Sequence, residues 1–192
     1  MLCNEPHERR FHGGAERLRL PERLQLMEVD RVVRLSMEGL AIRSVLDVGT
    51  GTGVFAEAFA KEGLTVAGID PAPDLLAVAQ RFAPDAAFQV AVAEKLPFPN
   101  GSFDLVFLGH VLHETDDPVT ALKEARRVAR KRVMILEWPY AMEDRGPPPA
   151  HRLTPERVRG LAKAAGFPSL ERITLAHMEL FRAVTQAASQ AT

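Results

Sequence analysis

Cysteine is nearly absent from this sequence, and so are long apolar runs and any excess of one charge. Cys3 is the single cysteine among 192 residues, which excludes an internal disulfide and any metal site built from several thiolates. No run approaches the roughly 20 apolar residues that a membrane-spanning helix needs. The 24 basic and 25 acidic residues nearly cancel, which disfavours broad binding to nucleic acid or to an anionic membrane.

The N-terminal stretch "MLCNEPHERRFHGG" does not contain the apolar core of a secretory signal. Hydrophobic residues make up 46% of the chain, which is enough for one domain with a sizeable core. We therefore expect a cytoplasmic globular protein that has neither a nucleic acid nor a membrane as a partner.

Short apolar runs alternate with helical patterns along most of the chain. β-Branched and apolar runs predict five strands, within residues 44–49, 64–70, 86–93, 103–113 and 132–138. Helical patterns lie between them, over residues 53–62, 72–83 and 117–131. This alternation predicts an α/β fold with a doubly wound, mostly parallel sheet. The run at 103–113 is the most apolar and is expected at the centre of the sheet.

Further elements are predicted on both sides of this alternation. Pro21 and apolar residues at helical spacing predict one helix over about residues 21–40. A proline-rich loop follows the fifth strand, and another helix begins at Thr154. The runs "LERITLA" and "MELFRAVTQ" then predict a terminal antiparallel pair of strands.

Polar residues follow each predicted strand of the parallel sheet. They are the glycine loop from Gly49, Asp70, the pair Ala93 and Glu94, the stretch 110–114, and Glu137. The carboxyl ends of parallel strands share one edge, and ligands of such sheets bind there. The sequence therefore predicts one site at this edge.

The run "LDVGTGTGVF" places Gly49, Gly51 and Gly53 at every second position. The dinucleotide fingerprint G-x-G-x-x-G requires a third glycine at position 54, where this chain has Val54. No Gly-Lys-Ser/Thr follows, so the phosphate-loop pattern is not matched either. Asp47 precedes the loop, and its carboxylate would repel a pyrophosphate and attract a cationic ligand.

Asp70 lies at the end of the second predicted strand, 19 residues after Gly51. A carboxylate at this position accepts hydrogen bonds from the hydroxyls of a ribose. The two aspartates together indicate a nucleoside that carries positive charge and no phosphate. S-adenosylmethionine meets this description, because it combines adenosine with a sulfonium and an ammonium group.

In these motifs the sequence resembles the class I S-adenosylmethionine-dependent methyltransferases, and among them the small-molecule group around the ubiquinone/menaquinone C-methyltransferases. The similar segments lie within residues 44–137 and are "VLDVGTGTG", "VAGIDPAPDLLAVA", "AEKLPFPNGSFDLVF" and "HVLHETDDPVTALKEARRVAR". The resemblance implies a Rossmann-like methyltransferase fold with a seven-stranded sheet and an antiparallel last strand. It also implies S-adenosyl-L-methionine as the cofactor and a small-molecule methyl acceptor as the partner.

The resemblance also assigns roles to individual residues of this sequence. It implies a cofactor site formed by Asp47, Gly49, Thr50, Gly51, Gly53, Asp70, Pro71, Leu75, Ala93, Glu94, Gly109 and His110. His113 is the candidate general base for catalysis. No metal is expected, because the run H-V-L-H-E at a strand-to-helix junction differs from the helical H-E-x-x-H of zinc enzymes.

We expect one domain over residues 1–192, with residues 1–42 as a helical lid and 43–138 as the cofactor-binding core. Residues 139–192 complete it with a loop, a helix and the strand pair. These short pieces favour a small-molecule acceptor over a macromolecule. One alternative is a methyltransferase-like module that binds a cofactor or partner without turnover, which is favoured by Val92 where the family often has an acidic residue. The other, less favoured, is a nicotinamide-dinucleotide oxidoreductase. The acceptor and the oligomeric state stay open.

Overall fold

The structure is a computed structural model that describes residues 14–140 and 146–185. Within them, the strands are β1 Ser44–Val48, β2 Thr65–Asp70, β3 Ala87–Val90, β4 Phe103–Gly109, β5 Ala129–Glu137, β6 Leu170–Thr174 and β7 Glu179–Val184. The α-helices are α1 Pro21–Met27, α2 Val29–Met37, α3 Val54–Lys61, α4 Pro73–Phe82, α5 Pro118–Val128 and α6 Pro155–Ala164. Two short 3-10 helices are Ala15–Arg19 and Pro149–His151. Parts of the predicted lid and proline-rich loop, residues 1–13 and 141–145, lie outside the described residues.

The strands form a single mixed sheet in the order β3-β2-β1-β4-β5-β7-β6. Strands β1 to β5 are parallel, and β7 pairs antiparallel with both β5 and β6. This confirms the predicted doubly wound α/β fold with its antiparallel last strand. Strand β4 lies at the centre, and its residues from Phe103 to Leu108 are all buried, as its apolar sequence predicted.

Helices cover both faces of the sheet, and alternate residues of β4 contact the two layers. On one face Val106 packs in a cluster with Leu122 of α5 and Leu161 of α6. On the other face Phe107 packs against Phe59 of α3, with ring centroids 5.5 Å apart. None of the helices in the described part of the chain is long and apolar enough to cross a membrane.

The predicted helix over 21–40 is two helices in the structure. Glu28 adopts a left-handed backbone conformation, with φ of 47°, and separates α1 from α2. Its carboxylate accepts a hydrogen bond from the backbone N–H of Ala176 (2.6 Å) in the turn between β6 and β7. This contact spans most of the chain, so the apolar spacing around Glu28 could not reveal the break.

The predicted helix over 117–131 is shorter in the structure and ends at Val128. Asp117 caps its first turn as predicted, because Oδ1 accepts from the backbone of Val119 (3.1 Å). The last three residues of the predicted helix instead begin β5, where Arg130 Nη1 donates to the buried Asp104 carboxylate of β4 (3.1 Å). Sheet pairing therefore overrides the helical pattern at this end.

Candidate functional site

The glycine loop joins β1 to α3 at the carboxyl edge of the sheet. Thr50 donates its backbone N–H to the Ile69 carbonyl (2.8 Å), and Gly51 donates to Oδ2 of Asp70 (2.9 Å). Gly51 has a φ of 53°, in the left-handed region that favours glycine. Among the described residues, a Cβ at Gly51 would meet only Leu18 Cδ1, at 3.5 Å. The backbone of the loop is therefore open to the close approach of a ligand.

Asp70 is buried at the end of β2 and connects two loops of the site. Its Oδ2 accepts from Gly51, and its Oδ1 accepts from the backbone N–H of Ala72 (2.8 Å). An ionised carboxylate only accepts hydrogen bonds, which is the chemistry that the hydroxyl donors of a ligand require.

Asp47 lies in β1 below the glycine loop and is only 2% exposed. The hydroxyl of Thr50 donates to its Oδ2 at 2.6 Å. Burial raises the pKa of Asp47 to about 7, and the hydrogen bond from Thr50 offsets only part of this effect. A cation bound nearby would favour the ionised carboxylate, so the position suits a positively charged ligand.

Leu75, Ala93 and Glu94 line the site beyond the ends of β2 and β3. Glu94 has a structural contact that its sequence position did not indicate. Its Oε1 accepts from the backbone N–H groups of Asp116 (2.9 Å) and Asp117 (3.4 Å). Glu94 therefore connects the loop after β3 to the beginning of α5 by hydrogen bonds, in addition to lining the site.

His113 and Glu137 form a buried pair beyond the ends of β4 and β5. Nδ1 of His113 lies 2.6 Å from Oε2 of Glu137, and the His113 backbone N–H donates to Oε1 (3.2 Å). Burial alone would lower the pKa of His113, but the charge and hydrogen bond of Glu137 outweigh it and raise that pKa. With Nδ1–H donated to Glu137, the basic nitrogen of the neutral ring is Nε2.

His110 follows β4 in a left-handed backbone conformation, with φ of 61°. Its backbone N–H donates to the Leu136 carbonyl (2.7 Å), and its ring stacks on Trp138 with centroids 5.1 Å apart. Nε2 of His110 contacts Sδ of Met178 at 3.3 Å. Burial holds the pKa of His110 well below its ordinary value, so this imidazole is neutral near pH 7. These contacts hold the His110 ring in place as part of the wall of the site.

A cavity of about 980 Å³ brings these residues together at the carboxyl edge of the sheet. Its lining includes Asp47, Gly49, Thr50, Gly51, Asp70, Pro71, Leu75, Ala93, Glu94, Gly109, His110 and His113. We call the part formed by the loops after β1, β2 and β3 the glycine-loop side. The histidine side is formed by His110, Val111, His113, Glu114, Trp138 and Arg23 of α1.

Gly53 is the one predicted site residue that does not line this cavity. It precedes α3 with a φ of 75°, and a Cβ there would lie 2.8 Å from Cβ of Ala79 in α4. The structure therefore gives Gly53 a packing role between two helices, and its predicted cofactor contact stays a prediction. The regular spacing of the three glycines does not indicate that Gly53 has this packing role.

The N-terminal residues contribute more to the site than their sequence indicated. Arg19 donates from Nη1 to the Thr52 carbonyl (2.7 Å), forms an ion pair with Glu57, and lies over the ring of Phe82. These contacts hold the first 3-10 helix beside the glycine loop, where Leu18 lines the cavity. No motif marks such residues in the sequence, because their contacts are specified only by tertiary structure.

Trp138 also lines the cavity and was not among the predicted site residues. It directly follows β5, so the rule that ligands bind beyond the carboxyl ends of parallel strands would have found it. Its ring packs against His110 and Gly146, where a Cβ would lie 2.6 Å from Cδ2 of the indole.

The cavity has the features that S-adenosylmethionine requires. The loop backbone at Gly51 is open, Asp70 offers carboxylate acceptors beside it, and Asp47 below it is a carboxyl group whose ionised form a bound cation would favour. A volume of about 980 Å³ is at the upper end of the range of small-molecule sites, which suits a cofactor together with a small second ligand.

Comparison with known proteins agrees with this geometry. Residues 46–136 match the family model of the methyltransferase domain. The demethylmenaquinone methyltransferase of Chlorobaculum parvum is 38% identical over 98 residues, which cover 50% of this chain and 41% of that protein. The demethylmenaquinone methyltransferase of Beutenbergia cavernae is 32% identical over 145 residues, covering 71% and 60% respectively. The chain spans about half the length of the curated relatives it matches.

A solved S-adenosylmethionine-dependent methyltransferase from Aquifex aeolicus has the same fold. The TM-score is 0.80 over 90% of this chain and 97% of that one, at 24% sequence identity. The sheet order and the glycine loop are thus those of a Rossmann-like methyltransferase domain. Residues 46–136 are therefore similar to the methyltransferase domain, and the fold is that of a solved S-adenosylmethionine-dependent methyltransferase. This confirms the resemblance identified in its motifs.

Proposed function

We propose that this protein catalyses the transfer of a methyl group from S-adenosylmethionine to a small-molecule acceptor. The proposal rests on one observation, which is that two kinds of site lie side by side in one cavity. The glycine-loop side offers an open backbone and two buried aspartates, and the histidine side offers a buried histidine held by a carboxylate.

The residues of the glycine-loop side bind and orient the cofactor. When bound, S-adenosylmethionine supplies a methyl group already activated on a sulfonium. Gly51 allows the ligand to approach the backbone, and Asp70 accepts hydrogen bonds from its ribose hydroxyls. Asp47 places negative charge below the loop, which favours the cationic end of the ligand.

The residues of the histidine side receive the acceptor and a proton from it. Nε2 of His113 is the basic nitrogen, because Nδ1 is engaged with Glu137. General base catalysis of this kind contributes about 10² to 10⁴ in rate. Glu137 is a positioning residue, since it fixes the ring and raises its basicity without facing the acceptor.

The N-terminal segment, residues 1–42, acts as a lid over the cofactor. Its described part supports this role, because Leu18 and Arg23 line the cavity and Arg19 connects the first 3-10 helix to Thr52 and Glu57. A lid of this kind excludes water from the transferring methyl group and aligns the reactants.

Formation of S-adenosylhomocysteine tests the proposal. The protein is incubated with S-adenosylmethionine and a panel of small phenols, carboxylates and amines, and the product is measured by mass spectrometry. We expect S-adenosylhomocysteine to form with at least one acceptor class above the rate without acceptor. Tight binding of S-adenosylhomocysteine without turnover of any acceptor would instead support a binding module. Val92 favours that second candidate, because an apolar side chain lines the cavity beside Ala93 and offers no acceptor to an adenine amino group.

A further inference from the structure

Arg23 of α1 has an environment that the methyl transfer itself does not explain. Its side chain lines the histidine side of the cavity, and burial lowers the pKa of its guanidinium without removing the charge. Its Cζ lies 5.7 Å from the ring centroid of Trp138. Within residues 14–140 and 146–185, no hydrogen bond or ion pair engages the Arg23 guanidinium.

Neighbouring arginines show how unusual this environment is. Arg19 is satisfied by the Thr52 carbonyl and by Glu57. Arg17 also borders the cavity, but it is exposed and keeps its hydration. Arg23 is partly desolvated, and desolvating a cation costs free energy unless an anion or hydrogen-bond acceptors compensate it.

The indole of Trp138 holds Arg23 in place. Trp138 is buried between His110 and Gly146, so it provides a fixed aromatic wall for the guanidinium. Burial lowers the pKa of His110, and the charge of Arg23 adds to this effect. For His113, whose pKa Glu137 raises overall, the charge of Arg23 acts in the opposite direction. The guanidinium is therefore close to the candidate base, at the place where an acceptor would lie.

Other charges around the cavity limit what Arg23 can bind. Glu114 acts on Arg23 through its charge, and Asp47 lines the glycine-loop side. These carboxylates disfavour a dianion such as a phosphate monoester in the same cavity. A guanidinium with several N–H donors in a plane matches a singly charged, planar oxygen group best.

We propose that Arg23 binds a singly charged oxyanion of the methyl acceptor, either a carboxylate or an ionised hydroxyl. The acceptor is then a small organic acid that presents this group to Arg23 and its reactive atom to the bound methyl donor. This inference depends on the proposed function only in taking the histidine side as the acceptor site.

Direct binding measurements test this inference without turnover. Benzoate and benzamide are titrated by calorimetry, with and without saturating S-adenosylhomocysteine, because they differ in charge at nearly constant shape. A second pair, 4-nitrophenolate and 4-nitroanisole, separates an ionised hydroxyl from its neutral ether. The absorption band of 4-nitrophenolate reports a change in its surroundings. Benzylamine serves as the cationic probe.

The variants are Arg23→Met, Arg23→Lys and the control Arg17→Met, which removes an exposed arginine at the same cavity. We expect benzoate or 4-nitrophenolate to bind more tightly than its neutral partner. Arg23→Met should weaken that binding about tenfold or more, as expected for a lost charged hydrogen bond. Arg23→Lys should retain part of the affinity for the anion, and Arg17→Met should change this affinity little. Melting temperatures establish that each variant is folded.

The inference is overturned if folded Arg23→Met binds the anion as tightly as the wild type does. It is also overturned by equal binding of each anion and its neutral partner, by binding of benzylamine but of neither anion, or by the absence of saturable binding by both anions. Failure of S-adenosylhomocysteine to bind would count against the proposed function alone, because the titrations without it still test Arg23.

Discussion

The two sides of the cavity are built in different ways. The glycine-loop side comes from contiguous motifs, in which the strand β1, its loop and the end of β2 supply both the ligand groups and their supports. The histidine side is assembled from distant parts of the chain, since Arg23 and Trp138 are far apart in sequence. Glu137, at the end of β5, supports His113, which lies beyond the end of β4. The rule for parallel sheets predicts that both sides lie at one edge, but only the glycine-loop side has a local motif that also indicates its ligand.

The largest effect is expected from Gly51→Val on the glycine-loop side. A valine at a φ of 53° is strained by about 1–2 kcal/mol, and its side chain would occupy the approach to the loop backbone. We expect loss of measurable S-adenosylhomocysteine binding by calorimetry.

Gly39→Val is the matched control for this change. Gly39 has a φ of 73°, and a Cβ there would have nothing within 4 Å, so it carries similar backbone strain away from the cavity. The control should lose similar stability and keep its affinity. Undiminished binding in folded Gly51→Val would show that the ligand does not approach this loop.

The next largest effect is expected from Glu137→Gln on the histidine side. Loss of this charge should lower kcat by about 10² or more, because His113 would be less basic and less well held. S-adenosylhomocysteine affinity should hardly change, which separates the two sides of the cavity.

The titration of His113 provides a readout that does not require an acceptor. Glu137 raises the pKa of His113, so histidine NMR signals should show its midpoint above the ordinary value in the wild type. In Glu137→Gln the midpoint should move to lower pH. An unchanged midpoint would mean that Glu137 does not tune this histidine.

A smaller effect is expected from the ionisation of Asp47. Because its pKa is raised to about 7, affinity for S-adenosylmethionine should increase as the pH rises from 6 to 8, by at most about tenfold per unit. Asp47→Asn should flatten this dependence in calorimetric titrations, and a retained slope would assign the titration to another group.

The same ionisation has an opposite consequence for the ligand-free protein. A carboxyl whose pKa is raised on folding stabilises the fold at low pH, and this contribution is lost as the pH rises through about 7. Asp47→Asn should therefore raise the melting temperature more at pH 8 than at pH 5. A uniform change at both values would argue against a perturbed Asp47.

Much of the fold could be predicted, because hydrophobic periodicity and turn residues fix most elements locally. The alternation of strands and helices, the central position of β4 and the cap at Asp117 are examples. The break between the helices at Glu28 could not be predicted. The left-handed backbone of Glu28 occurs together with a hydrogen bond that its carboxylate accepts from Ala176, which lies 148 residues away. Element boundaries were missed where sheet pairing competes with helical pattern, as after Val128.

The same difference between local and tertiary contacts explains which parts of the candidate site could be predicted. Gly51 and Asp70 were predicted because one local loop sets their spacing, and the structure joins them by a hydrogen bond. The pairing of His113 with Glu137 and the position of Arg23 depend on how strands and helices pack, which periodicity does not encode. Gly53 shows that a position in the motif can also serve the packing of two helices, which the glycine spacing alone does not indicate.

Calorimetric titration with S-adenosylhomocysteine and NAD distinguishes an S-adenosylmethionine site from a dinucleotide site. We predict binding of S-adenosylhomocysteine and none of NAD. Asp70→Ala should weaken that binding by about 1.5–3 kcal/mol, the typical worth of a hydrogen bond to a charged group, and exposed Asp74→Ala should leave it unchanged. Binding of NAD without S-adenosylhomocysteine, or equal affinities for the Asp70 and Asp74 variants, would contradict the account.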